Sequence, residues 1–162
     1  FREPLPEGHP AALSSAEREE LAQGFRRVAG RFVPGEFEHL AHGSAAGGMS
    51  ASAADMARWM SMLLGAGELD GVRVLDKVGA RRLAEPLHRN AAGVAAIGHG
   101  FLTGQYGPAP AYGHGGATLM FHSQMELLPQ QRLGVFISAN SDNARAAVAK
   151  LARLIVEHLH PE

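Results

Sequence analysis

Cysteine is absent from the sequence. That excludes disulfides, thiolate nucleophiles and cysteine-ligated zinc or iron–sulfur centres, so any metal would have to be held by histidines and carboxylates. A surplus of charge is absent too: 15 Lys+Arg stand against 16 Asp+Glu in 162 residues, a formal net charge of -1. With no basic excess to neutralise phosphates there is no footprint for nucleic acid or an anionic membrane, and nucleic acid is not expected as a partner. No basic, apolar leader follows Phe1; a targeting signal is expected to be missing or to lie upstream, and the chain reads as a fragment. The longest stretch without a charged side chain, Asn90 to Met125, is long enough for a membrane span but has the wrong composition. Its glycines and prolines, from Gly98 to Gly116, and its histidines His99, His114 and His122 would break a helix and strand polar groups in hydrocarbon. Such a segment is expected to line a cleft instead.

What is present, 46% hydrophobic and 19% charged residues, fits one globular unit. Residues 1–12 hold Pro4, Pro6 and Pro10 and read as an extended strap. Ser14 with Glu17 has capping-box spacing, which predicts a short helix from Ala16 to Phe25. Gly30 to Gly48 reads as irregular chain or a short strand ending in a turn at Gly47-Gly48, so that residues 1–50 form a strap and an irregular segment. A second capping box, Ser52 with Asp55, opens a helix whose Met56, Trp59, Met60, Leu63 and Leu64 share helical spacing and which Gly65-Ala66-Gly67 ends. That stripe reads as core, and Asp55 as a partner for the N-terminal N–H groups. A turn over Gly67 to Gly71, an extended piece from Val72 to Leu75 and a helix over Lys77 to Ala84 capped by Asp76 complete a helical region, 51–90.

The period then changes. Ala96 to Thr103, Ala111 to His114, Ser123 to Leu128 and Leu133 to Ala139 read as strands within 91–140. Ser123, Met125 and Leu127 share one face while Gln124 and Glu126 face the other, and Pro129 to Arg132 joins the last two strands as a hairpin. Asn143 to Leu159, within 143–160, reads as a helix with Val148, Leu151, Ile155 and Leu159 on one stripe against the sheet.

His114 stands out chemically, at the end of an uncharged strand between glycines in Tyr112-Gly113-His114-Gly115-Gly116-Ala117. Glycines there admit a ligand or another backbone, and free N–H groups beside Gly115, Gly116 and Ala117 can serve as oxyanion donors. A lone histidine in a Gly-rich turn is more often structural, and that reading stays open on spacing alone. His39 with His42, and His158 with His160, have the spacing of metal ligands but no obvious third partner. Arg26-Arg27 and Arg81-Arg82 read as solvated faces.

Taken in order, Phe1-Arg2-Glu3-Pro4-Leu5-Pro6, Gly47 to Trp59, Gly98-His99-Gly100-Phe101, His114-Gly115-Gly116, Leu127-Leu128-Pro129 and Gly134 to Asn140 resemble the serine beta-lactamase-related family, which spans class C beta-lactamases, DD-peptidases, esterases and D-amino-acid amidases. The likeness covers nearly the whole chain. It implies an α/β (α+β type) beta-lactamase/transpeptidase-like fold, an antiparallel sheet flanked by helices, of which 1–162 would be the C-terminal portion with the last three strands or so. It also implies a parent that hydrolyses an amide, lactam or ester through an acyl-enzyme, without cofactor, acting on a small-molecule or peptide-like substrate. A periplasmic or extracytoplasmic location is suggested by resemblance only.

The family uses Ser-x-x-Lys, Tyr-x-Asn or Ser-x-Asn, and Lys-Thr-Gly or His-x-Gly. His114-Gly115-Gly116 matches the third. The resemblance makes His114 a substrate-orienting and proton-tuning group, Gly115 and Gly116 substrate-binding, and the backbone of Ala117 the oxyanion donor. The first motif is missing: the two lysines, Lys77 and Lys150, are preceded three residues earlier by Val74 and Ala147. Tyr106 and Tyr112 are followed by Pro108 and His114 rather than asparagine, and Ser141-Asp142-Asn143 comes after the third motif rather than before it, Asn143 reading as a helix cap. No nucleophile is found, so the chain alone is expected to be inert. The missing part of the domain would leave apolar surface and a sheet edge open, favouring a homo-oligomer or swapped dimer. A non-catalytic binding module and a small histidine-based metalloprotein remain as alternatives.

Overall fold

The computed structural model describes residues 14–38, 40 and 43–159. The N-terminal strap, His39, His42 and His160 lie outside the described residues.

Five strands form the main sheet: β5 (Ala96–Ile97), β6 (Leu102–Tyr106), β7 (Ala109–Ala117), β8 (His122–Leu128) and β9 (Leu133–Ala139), antiparallel and side by side in chain order. The single strand expected from Ala96 to Thr103 is two, because Gly100 takes a positive φ of 82° and Gly98 N–H closes a turn on the Phe101 carbonyl at 2.7 Å. The sheet therefore has five strands, one more than the four read along the chain and beyond the three or so implied by the resemblance. β7 starts two residues earlier than the sequence implied, through Pro110. Its missing N–H costs no ladder bond, since Pro110 pairs with Gln105 of β6 while β8 pairing begins only at Tyr112. The β8–β9 connection is the expected hairpin, made by a single turn of 3₁₀ helix, Pro129–Gln131, and Arg132 in the left-handed region.

Alternation along the strands gives the sheet two apolar faces. Tyr112, Met125 and Leu127 meet Met60, Met62 and Leu63 of α3 (Ala53–Leu64) on one side, with Phe101 set edge-on to Tyr112 at 5.1 Å between ring centroids. The Ser52–Asp55 capping box opens α3 as the sequence implied, each side chain satisfying the other's backbone N–H. On the opposite side Ala109, Ala111, Leu128 and Val135 pack under Ala152 and Val156 of α5 (Arg145–Leu159). The stripe expected on α5 is thus rotated: Val148 is buried, but Leu151 and Leu159 are about half exposed. The small side chain of Ala152 lets the helix sit close to the sheet, so the alanine rather than the leucines forms the contact. α5 starts at Arg145, and Asn143 accepts from the Ser141 hydroxyl at 2.9 Å instead of capping it.

The remaining elements surround this core. α1 (Ser15–Glu19) carries the expected capping box but ends well before Phe25, which belongs to a hairpin of β1 (Phe25–Val28) and β2 (Arg31–Pro34). Phe25 is drawn out of helix by distant partners: its N–H donates to the Asn140 carbonyl at 2.9 Å and its carbonyl accepts from Asp142 N–H at 3.1 Å. α2 (Ser44–Gly47) includes the glycine expected in a turn. β3 (Glu68–Leu69) and β4 (Val72–Arg73) make a small hairpin between α3 and α4 (Lys77–Ala84), which Asp76 caps as expected through Gly79 N–H at 2.7 Å. No helix among the described residues is long and apolar enough to cross a membrane.

Candidate functional site

Among the described residues, the far end of β7 has one free edge. β6 pairs with β7 only as far as Gly113, whereas β8 continues to Ala117. Main-chain groups of successive strand residues point alternately to the two neighbours. Thr118 N–H is directed at the β8 side, donating to the Phe121 carbonyl at 2.9 Å. By the same alternation His114 and Gly116 direct their N–H groups to β8, and Gly115 and Ala117 direct theirs to the side that β6 has vacated. Ala117 thereby offers an N–H at an open edge, the geometry an oxyanion donor requires.

His114 lies at that edge. Its Nδ1 is 2.6 Å from the Gly115 carbonyl oxygen. A carbonyl can only accept, so Nδ1 is the donor in this bond and Nε2 takes no part in it. The side chain is exposed rather than packed in the core. A Cβ on Gly116 would press on the Ser123 hydroxyl and one on Gly115 would come to 3.0 Å from Gln124 Oε1, both movable side-chain ends, so these glycines leave the strand surface open without being forced by backbone contact. The expected site residues His114, Gly115, Gly116 and Ala117 are thus consecutive on one open strand end.

A cleft of about 700 Å³ lies mainly behind the sheet from the His114 side chain. Leu102, Gly104, Ala111 and Gly113 form its floor, and Gln124, Glu126, Arg153 and Glu157 its walls. As expected, most of its lining comes from the uncharged segment Asn90–Met125. Glu126 is held above the ordinary carboxylate range by burial, against the pull of hydrogen bonds from Gln124 (2.8 Å) and Tyr106. Burial and the nearby Glu126 carboxylate push Tyr106 up to about 12.

His122, singled out in the sequence only as one of the histidines of the uncharged segment, pairs with Ala117 in the register and is buried. Its Nε2 faces the Asp142 carbonyl at 3.3 Å, and its Nδ1 has no partner among the described residues. It lies on the face opposite His114, one strand in from the open edge, and links β8 to the chain after β9. Asp142, in the Ser-Asp-Asn triplet, accepts from Arg27 N–H at 3.1 and 3.2 Å and so fastens the β1–β2 hairpin. Asp55 and Asp76 are both lowered by backbone hydrogen bonds at helix starts, which are capping roles. Arg26, Arg27, Arg81 and Arg82 are exposed. Among the described residues no three histidine or acidic side chains converge on a metal-sized space.

A meander sheet covered by helices on both faces, with an interrupted edge bearing His-Gly-Gly, defines an α/β domain of beta-lactamase-like fold. The Beta-lactamase family model matches residues 4–160, and the chain belongs to that family. Membership makes the fold that of a serine-hydrolase type. Among solved structures the chain is similar to the crystal structure of SurE, at 23% identity with a TM-score of 0.66 over 96% of this chain. The match takes in only 35% of that structure, so the chain spans about a third of its length. No curated protein matches the chain.

Proposed function

We propose that this chain supplies the third-motif edge of a serine hydrolase that cleaves an amide, lactam or ester through an acyl-enzyme. The observation that carries the reading is the free end of β7, where the Ala117 N–H faces the gap left by β6 beside His114. In this reading the carbonyl oxygen of a small-molecule or peptide-like substrate accepts from Ala117 N–H, and the negative charge that grows on it during attack strengthens that bond. His114, protonated at Nδ1 by its bond to Gly115, presents Nε2 to the substrate or to the groups that move the proton. Gly115 and Gly116 keep the strand open to the substrate backbone. The nucleophile and its base come from outside these residues, since neither lysine here follows a serine at the required spacing.

Chromogenic cephalosporin and p-nitrophenyl ester assays test this. The 162-residue chain is expected to show no turnover sensitive to a serine-directed covalent inhibitor, and the full-length protein to show it. Inhibitor-sensitive turnover by the chain alone would place a nucleophile within it and overturn this assignment.

A further inference from the structure

The turn after Ala117 is fixed from three directions. Thr118 closes it through its N–H on the Phe121 carbonyl (2.9 Å) and its hydroxyl, which accepts from Phe121 N–H at 3.2 Å. Met120 is 2% exposed and sits against Gly24 and Gly35, where a Cβ on either glycine would collide with its side chain. Those glycines are joined by Gly35 N–H on the Gly24 carbonyl at 2.9 Å, and the Gln23 side-chain amide donates to both of their carbonyls, at 2.7 and 2.8 Å. Finally, Leu119 N–H donates to the Glu38 carboxylate at 2.7 Å, across 81 positions of sequence.

On this anchored turn the Leu119 side chain is 58% exposed. A single exposed leucine is ordinary on a protein surface. This one differs because its backbone is pinned on both sides and it follows the proposed oxyanion donor by two residues, within about 7 Å of chain. The Glu38 bond also brings the neighbouring Phe37, itself exposed, close to this turn.

We propose that Leu119 determines acyl-group specificity. It forms an apolar wall against the carbon chain attached to the carbonyl that Ala117 receives, and Glu38 and Met120 are positioning residues that hold it there. The substrates favoured are those with an extended apolar acyl group over short or charged ones, because the wall offers contact area and no charge. The inference rests on the serine-hydrolase reading above.

The test uses the full-length protein with p-nitrophenyl acetate and octanoate. Leu119→Ser is expected to lower the octanoate-to-acetate ratio of kcat/KM by about tenfold, mainly through KM, while Leu119→Met keeps it within about twofold of the original. Glu38→Gln is expected to lower the ratio less and to speed amide exchange at Leu119, which can be read in the 162-residue chain itself. An unchanged ratio in Leu119→Ser, with inhibitor-sensitive acetate turnover intact, overturns the role of Leu119 and leaves the hydrolase reading standing. Absence of inhibitor-sensitive turnover in the unmodified full-length protein overturns both.

Discussion

Tyr106 donates its phenolic hydrogen to the Glu126 carboxylate on the α5 face of the sheet, and the two groups shift each other's titration. Burial raises Glu126 above its ordinary value of 4.5, so in the window just above that pH the folded chain keeps a proton that the unfolded chain releases. Stability then falls as pH rises through the window, opposite to the usual behaviour of a paired carboxylate. Glu126→Gln should flatten that part of a plot of melting temperature against pH. An unaltered slope would mean that Glu126 is not the group responsible.

The tyrosines give a spectroscopic check at the other end of the scale. Tyr106 and Tyr112 are both pushed up to about 12, chiefly by burial, from an ordinary value of 10. Absorbance near 295 nm should therefore show little tyrosinate until well above pH 10 in the folded chain, and a normal transition in denaturant. Because the folded chain holds these protons more tightly, stability should decline between pH 10 and 12. A native titration centred on 10 would contradict the packing around both rings.

Gly113 is opposite Glu126 in the β7–β8 pair, and a Cβ there would run into the Met125 backbone carbonyl. Backbone cannot yield as a flexible side chain does. Gly113→Ala should destabilise the chain by about 3 kcal/mol, at the upper end of overpacking costs, with melting temperature down by about 6–12 °C. Gly104, whose added Cβ would meet nothing, is the control: Gly104→Ala should be nearly neutral or stabilising.

For His114, the expected pattern is loss of rate without loss of fold. In the full-length protein His114→Ala should lower kcat/KM by a factor of about 10²–10⁴, the range for acid–base assistance. The side chain is exposed and, among the described residues, bonded only to its neighbour's carbonyl, so the melting temperature should move by a few degrees at most. Full activity with reduced stability would make it a structural histidine.

Association is the fifth property open to measurement. Among the described residues β9 pairs on one side only, and Leu151, Leu154 and Leu159 stand about half exposed on α5. We expect the isolated chain to bury this surface against a second copy. Light scattering should give a dimer or larger species, and a concentration-independent monomer would refute it.

What could be read from sequence was what depends on near neighbours. Ser52 and Asp55 fix the start of α3 through bonds three residues apart, and the alternation of Ser123 to Leu127 fixes the faces of β8. What could not be read depends on distant partners. Phe25 looked helical because its bonds to Asn140 and Asp142 are invisible to a local window. The stripe on α5 is not the one its leucines suggest because small Ala152 carries little hydrophobic weight yet is fully buried against the sheet. His114 and its glycines were identifiable as a group, but the open edge beside them depends on where β6 stops, which no spacing rule gives.

The order of strands in the sheet also bears on how the molecule forms. Each pair from β5 to β9 joins segments adjacent in the chain, so closing the meander costs little loop entropy and proceeds from local contacts. The ties to the N-terminal hairpin are of another kind: Arg27 reaches Asp142 across 115 positions and Glu38 reaches Leu119 across 81. Such closures come late in folding and open early, so amides of β1 and β2 should exchange before those of β7 and β8. The edge that holds Ala117 is then complete before the hairpin docks, and the wall beside it is assembled last and is the first to be lost.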